Sequence, residues 1–187
     1  LAAGLGRGRS DFVFISVGTG IGMGIIANGS LLRGARGAAG EIGFLPMGAD
    51  PLDPANQVRG PLEEVTAGDA VSGRFLLGTG SALAPEEIFA LADAGDQPAT
   101  DAVDEEARWL AAAIVAVNAV LDPELVILGG GIGARPDLLP RITSWLDRLG
   151  RPDLPVRISD LGPLAPVIGA VTIAIEAAAA AQKGNSR

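Results

Sequence analysis

The sequence contains no cysteine, no histidine and no tyrosine. The missing cysteines exclude disulfides and thiol catalysis, and with histidine also gone the usual zinc ligands are unavailable. No carboxylate cluster has calcium-loop spacing, so the residues point to no metal site. Basic residues are scarce as well: 14 Lys and Arg stand against 22 Asp and Glu, for a net charge of −8 and a pI near 4.5. Binding nucleic acid through counterion release needs clustered Lys and Arg, which makes this chain a poor DNA or RNA ligand by itself. The longest apolar run, Val167 to Ala181, is short and carries Glu176. It reads as a buried helix rather than a membrane span. The N-terminus has no signal-peptide core and does not begin with Met. The expectation is a piece of a longer or processed product, in keeping with a cytoplasmic setting.

What is present is a globular composition. Hydrophobic residues make up 48% and charged residues 19% of 187 positions, enough to bury a core as one domain spanning 1–187. Glycine is abundant at 27 residues, about twice its usual share, so many positions need tight turns or close approach.

Phe12 to Val17 is a nearly continuous apolar run, which predicts a strand covered on both faces. Gly22 to Ala27 predicts a second strand, Asn28-Gly29 a tight turn, and Ser30 to Leu32 a third strand. Gly34 to Gly43 and Met47 to Gly60 read as loops. Leu62 to Leu77 reads as helix interrupted at Gly68, and Pro85 opens a short helix. A long helix is expected from Thr100 to Leu121, with Thr100 as N-cap, Asp101 and Asp104 near its positive end, and Pro123 as the stop. Leu125 to Leu128 is a buried strand. Pro136 to Leu149 is helical, Val156 to Ile158 a short strand, and Leu164 to Ala181 the last helix. Strands first, then strands alternating with helices, indicate an α/β or α+β class.

Two glycine turns each follow a buried strand: Gly18-Thr19-Gly20 and Gly129-Gly130-Gly131. A dinucleotide-binding loop runs from strand into helix, whereas the first turn here joins strand to strand. Backbone N–H groups in such turns can converge on an anion, and Thr19 adds a hydroxyl donor. The pair could hold the phosphates and nucleoside of one nucleotide; equally, both could be plain connections. Glu41 lies in a glycine loop and Glu63 opens a helix. Carboxylates so placed suit sugar hydroxyls, or they are solvated charges at helix ends. Asp50, Asp53, Asp69 and Asp160 suggest no constellation.

Taken in order, the motifs resemble the ROK family of repressors, open reading frames and sugar kinases. The resemblance is carried by Val17-Gly-Thr-Gly-Ile-Gly-Met-Gly24, Gly34-Ala-Arg-Gly-Ala-Ala-Gly-Glu-Ile-Gly43, Asn118-Ala-Val-Leu-Asp-Pro-Glu-Leu-Val-Ile-Leu-Gly-Gly-Gly131 and Leu164-Ala-Pro-Val-Ile-Gly-Ala-Val171. It implies an α/β, actin-like ATPase or ribonuclease-H-like fold, of which this chain would be the second, C-terminal lobe. By the same resemblance, Gly18, Thr19 and Gly20 would contact ATP phosphates. Gly129, Gly130 and Gly131 would lie by the adenosine, and Glu41 and Glu63 would hydrogen-bond a sugar. The catalytic aspartate, which takes the sugar hydroxyl's proton, and a first phosphate loop would precede Leu1.

Two departures stand out. The family follows the first glutamate with Gly-His, and here Phe44 takes the histidine's place, which suggests a packing role. The stretch Pro54-Ala-Asn-Gln-Val-Arg-Gly-Pro61 occupies the place of the family's C-x-C-G-x-x-G-C zinc motif without a cysteine, so zinc is not expected. These losses favour the sugar-sensing, effector-binding part of a ROK-type transcriptional regulator with degenerate kinase motifs. DNA would be reached only through a helix-turn-helix outside this chain, and the protein would be a homo-oligomer. The alternative is an ATP-dependent, glucokinase-like sugar kinase without the zinc site. A third reading is a packing and dimerisation module, with the helix near Trp109 and the C-terminal helix at a subunit interface.

Overall fold

A computed structural model describes residues 3–165, 167–172 and 174. Five strands form one mixed sheet in the order β3-β2-β1-β4-β5. β1 (Phe12–Val17) and β2 (Ile21–Ala27) form an antiparallel hairpin pairing Phe12 with Ile26 and Val17 with Ile21. β2 pairs antiparallel with β3 (Ser30–Leu31). Asn28 and Gly29 both adopt positive φ, 50° and 72°, the geometry that matches the right-handed twist of the flanking strands. β4 (Val126–Gly129) lies parallel to β1, and β5 (Val156–Ile158) parallel to β4.

Between β3 and β4 run α1 (Glu63–Thr66), α2 (Gly68–Thr79), α3 (Pro85–Asp93) and α4 (Gln97–Leu121). After β4 come the single turn α5 (Gly130–Gly133) and α6 (Leu138–Arg148). α4 buries Ala99, Ala102, Val103, Glu106, Ala107, Leu110, Ala111, Ala113, Ile114 and Val117. Steps of three and four along that series keep them on one stripe. Leu138, Ile142 and Leu146 do the same on α6. These helices cover one sheet face, where Val13, Ile15 and Val17 are buried.

Several elements differ from expectation. β1 is not covered equally on both faces: Phe12, Phe14 and Ser16 are half-buried. With residues 165, 168–170 and 172 they line an apolar groove of about 490 Å³. The long helix starts three residues before Thr100, because Asp96 accepts a hydrogen bond from the Ala99 amide at 2.9 Å and caps it, with proline in the first turn. Ala67, in extended conformation (ψ 162°), separates α1 from α2. The loop 47–60 contains a 3-10 turn, Pro54–Gln57, capped by Asp53. Residues 165, 167–172 and 174 are helical, but Val167 and Val171 are exposed. The described part of the final helix is therefore not a buried one; its remainder lies outside the described residues. No helix among the described residues is long and apolar enough to cross a membrane.

Candidate functional site

The two glycine segments come together. β1 and β4 run side by side and parallel, with Ser16 opposite Gly129, so both strands end on the same side of the sheet. Carboxyl ends of parallel strands are the usual crevice for ligands in open α/β sheets. A Cβ on Gly18 would stand 3.8 Å from the Gly131 amide nitrogen. Gly18 itself donates to the Gly20 carbonyl at 2.9 Å, a tight reversal that leaves Thr19 at the tip.

The second segment is not a plain loop. Gly129 ends β4 and Gly130 opens α5. Gly130 has φ 83°, and a Cβ there would lie 2.2 Å from the Val17 carbonyl oxygen. Only glycine lets the strand turn into a helix while touching the neighbouring strand's backbone.

Glu41 is exposed at the start of a 3-10 turn, Ile42–Phe44. Its loop is fixed by Gly40, whose carbonyl accepts from the Met23 amide at 3.0 Å. A Cβ on Gly40 would strike the Met23 carbonyl oxygen at 1.9 Å. Phe44 is 53% exposed. It therefore does not fill an interior space, as expected of it, because the turn projects it outward beside Glu41.

Glu63 sits differently. Its Oε2 accepts from the Ile21 amide at 2.9 Å and its Oε1 from Arg59 Nε at 3.1 Å. A Cβ on Gly20 would approach Glu63 Oε2 to 2.7 Å, so the carboxylate lies directly against the first glycine turn. Arg59 also donates to the Thr19 carbonyl at 3.1 Å and pairs with Asp69 at 3.3 Å. The hydrogen bond to Glu63 holds the Arg59 guanidinium above its ordinary pKa. Asp69 is the second residue of α2, and Gly68, the first, donates its amide to the Gly18 carbonyl at 2.8 Å.

The sequence offered Glu41, Glu63 and both glycine turns as candidates, but not Arg59 or Asp69. One signal existed: Arg59 lies four residues before Glu63, a spacing at which opposite charges meet in helical turns. Asp50 and Asp53 do local work, accepting from the Leu52 and Ala55 amides, and Asp160 accepts from the Leu5 amide.

Behind the cluster lies a second one. Arg74 donates to the Val65 carbonyl at 2.8 Å, to the Ala102 carbonyl at 3.2 Å and to Glu106 Oε2 at 2.7 Å. Glu106 is fully buried on α4. Its Oε1 has no hydrogen-bond partner among the described residues. Burial pushes the Glu106 carboxyl up to about 7; Arg74 pulls the other way and loses. Arg59 and Arg74 line one cleft of about 320 Å³ with Glu63, Asp69 and Trp109. Among the described residues no group of three or more His, Cys, Asp or Glu is arranged to hold a metal ion.

The family model of the ROK family matches residues 2–177. The bifunctional enzyme NanE/NanK of Brucella melitensis is 34% identical over 174 residues, which are 91% of this chain and 32% of that protein. A glucokinase of Halalkalibacterium halodurans is 31% identical, covering 97% of this chain and 61% of that protein. The solved ROK family glucokinase of Streptomyces griseus, in complex with glucose and AMPPNP, superposes with a TM-score of 0.76 at 28% identity. That match covers 90% of this chain and 61% of that one. The chain thus spans from about a third to three fifths of these proteins' lengths.

The fold is the actin-like ATPase fold of ROK kinases. The regulator expected from the lost histidine and cysteines is overturned. One ROK transcriptional regulator does superpose, with a TM-score of 0.65 over 42% of its length. Most of the sequence relatives and better-fitting structures compared are ROK sugar kinases, among them the H. halodurans and S. griseus glucokinases. Loss of zinc ligands is a poor marker of lost catalysis, because phosphoryl transfer relies on positioning and electrostatics around the phosphates.

Proposed function

The chain belongs to the ROK family, and on that footing we propose that it is the C-terminal lobe of an ATP-dependent sugar kinase. The observation that carries this reading is the meeting of two glycine turns on one side of the sheet, with Gly18 against Gly131. Glycine leaves no side chain between ligand and amide, so the turn at 18–20 can cradle phosphates while the segment at 129–131 backs the nucleoside. Thr19 would add its hydroxyl. The S. griseus glucokinase was solved with both a sugar and an ATP analogue, which supports a nucleotide and a sugar as the two ligands.

In this reading Glu41 accepts hydrogen bonds from sugar hydroxyls. It is exposed, and an ionised carboxylate offers several lone pairs. Glu63 already receives two N–H groups, so it reads sugar only through its remaining lone pairs. The sugar hydroxyl attacks the γ-phosphorus, the bond from that phosphorus to the β,γ-bridging oxygen breaks, and ADP leaves. The hydroxyl proton passes to a carboxylate outside these 187 residues. Amides of the glycine turns stabilise charge on the phosphate oxygens.

The test is ADP release by the full gene product carrying this chain, with ATP and a panel of hexoses, N-acetylhexosamines and aminohexoses. Sugar-dependent ADP release is expected for at least one member. A flat response across the panel, from folded protein, would overturn the reading.

A further inference from the structure

Arg59 makes three contacts to three separate parts of the chain. Its Nε reaches Glu63 at the start of α1, one Nη reaches Asp69 at the start of α2, and the other reaches the Thr19 carbonyl at the tip of the first glycine turn. These acceptors lie 4, 10 and 40 residues away in sequence. The Arg59 side chain is 34% exposed and Glu63 20% exposed, so the cluster sits at the rim of the site rather than in the core. The Glu63–Ile21 bond closes the far side. The turn is thereby clamped from its carbonyl at Thr19 and from its amide at Ile21, and both clamps meet in one carboxylate–guanidinium pair.

We propose that Arg59 is a positioning residue: it fixes the phosphate-facing Gly18-Thr19-Gly20 turn relative to Glu63. This rests on the kinase reading above. A planar guanidinium presents several N–H donors in fixed directions, which suits three acceptors held apart; an ammonium is a point charge that cannot span them. Without that fork, Glu63 and Asp69 would lose the guanidinium bonded to both, and the tip of the turn at Thr19 would lose its side-chain clamp. Reacting groups displaced by about 1 Å lose on the order of 100-fold in rate, so a clamp this close to the phosphates is felt in catalysis.

The experiment compares wild type, Arg59→Gln and Arg59→Lys in the full gene product. Hydrogen exchange is read at Ile21 and at core amides such as Val13, together with kcat, KM for ATP and melting temperature. Ile21 exchange is expected to quicken about tenfold or more in both variants while Val13 is unchanged. A global loss of stability would instead quicken both amides. kcat is expected to fall by about 10- to 100-fold, with lysine failing to rescue. Unchanged Ile21 exchange, or a lysine variant with wild-type kcat, overturns the proposal. If wild type phosphorylates no sugar, the kinase reading fails on its own, and Ile21 exchange still decides whether Arg59 holds the turn.

Discussion

Two arginines on either side of α1 use the same chemistry to different ends. Arg59 reaches Glu63, Asp69 and the Thr19 carbonyl at the rim. Arg74 reaches Glu106 and the Val65 and Ala102 carbonyls deeper in. Each makes three bonds, and each holds α1, one by its first side chain and the other by a carbonyl of its third residue. What differs is the partner's burial: Glu106 is fully covered, whereas Asp69 is 81% exposed. A buried charge left alone is costly, while a rim pair is weak energetically and matters through geometry. Arg74 is accordingly a residue of stability, and Arg59 one of alignment.

That contrast breaks most sharply at Arg74. At pH 8, where Glu106 is ionised, Arg74→Met strands its charge in the core and frees two carbonyls, and is expected to cost about 3–5 kcal/mol, read by urea unfolding. A loss under 1 kcal/mol at that pH would mean that Arg74 does not hold the Glu106 charge.

The next effect is in pH. The Glu106 carboxyl lies at about 7 in the folded chain against an ordinary 4.5. Between those values the folded state keeps a proton that the unfolded state has released. Rising pH therefore favours unfolding, and the contribution, full below pH 4.5, is lost as pH climbs through 7. At roughly 1.4 kcal/mol per unit the loss is of order 3 kcal/mol. Glu106→Gln should flatten that part of the stability profile, and an unaltered slope would refute the assignment.

Asp69→Asn is expected to change stability by less than about 1 kcal/mol, since Arg59 keeps Glu63 and Thr19. A larger drop in thermal melting would make the rim cluster a core element and erase the distinction. Smallest of all in stability is Glu41→Gln, within about 0.5 kcal/mol, because neither arginine touches it. Sugar affinity should nevertheless fall roughly tenfold, the worth of a hydrogen bond to a charged group. Calorimetry with a sugar that supports ADP release would read it, and unchanged affinity would remove Glu41 from the site.

Local signals were legible in the sequence. The hairpin at Asn28-Gly29, the strand at 126–129 and the bulk of α4 follow from turn chemistry and periodicity. The glycine turns and Glu41 were legible as candidates because glycine and carboxylates have few reasons to cluster. The start of α4 was missed because Asp96 competes with Thr100 as a cap and the proline between them marks the first turn. Arg59 and Arg74 could not be read as hubs. Their acceptors include backbone carbonyls up to 40 residues away, and a carbonyl has no letter in the sequence. The functional direction was misjudged because absent metal ligands are conspicuous in a sequence, whereas phosphoryl transfer turns on positioning that no single letter records.

The amide of Gly68 bonds the Gly18 carbonyl, so α2 begins on the glycine turn. Its 12 residues span about 18 Å, from the glycine turn to the exposed surface around Ser81. Any tilt that a ligand imposed at the turn would be carried to the far end. Because these 187 residues hold no cysteine, Ser81→Cys would place one dye in this part of the protein, far from the glycine turn. Emission that shifts on adding ATP would make that end a gauge of loop occupancy; a silent dye would mean the turn moves without its helix.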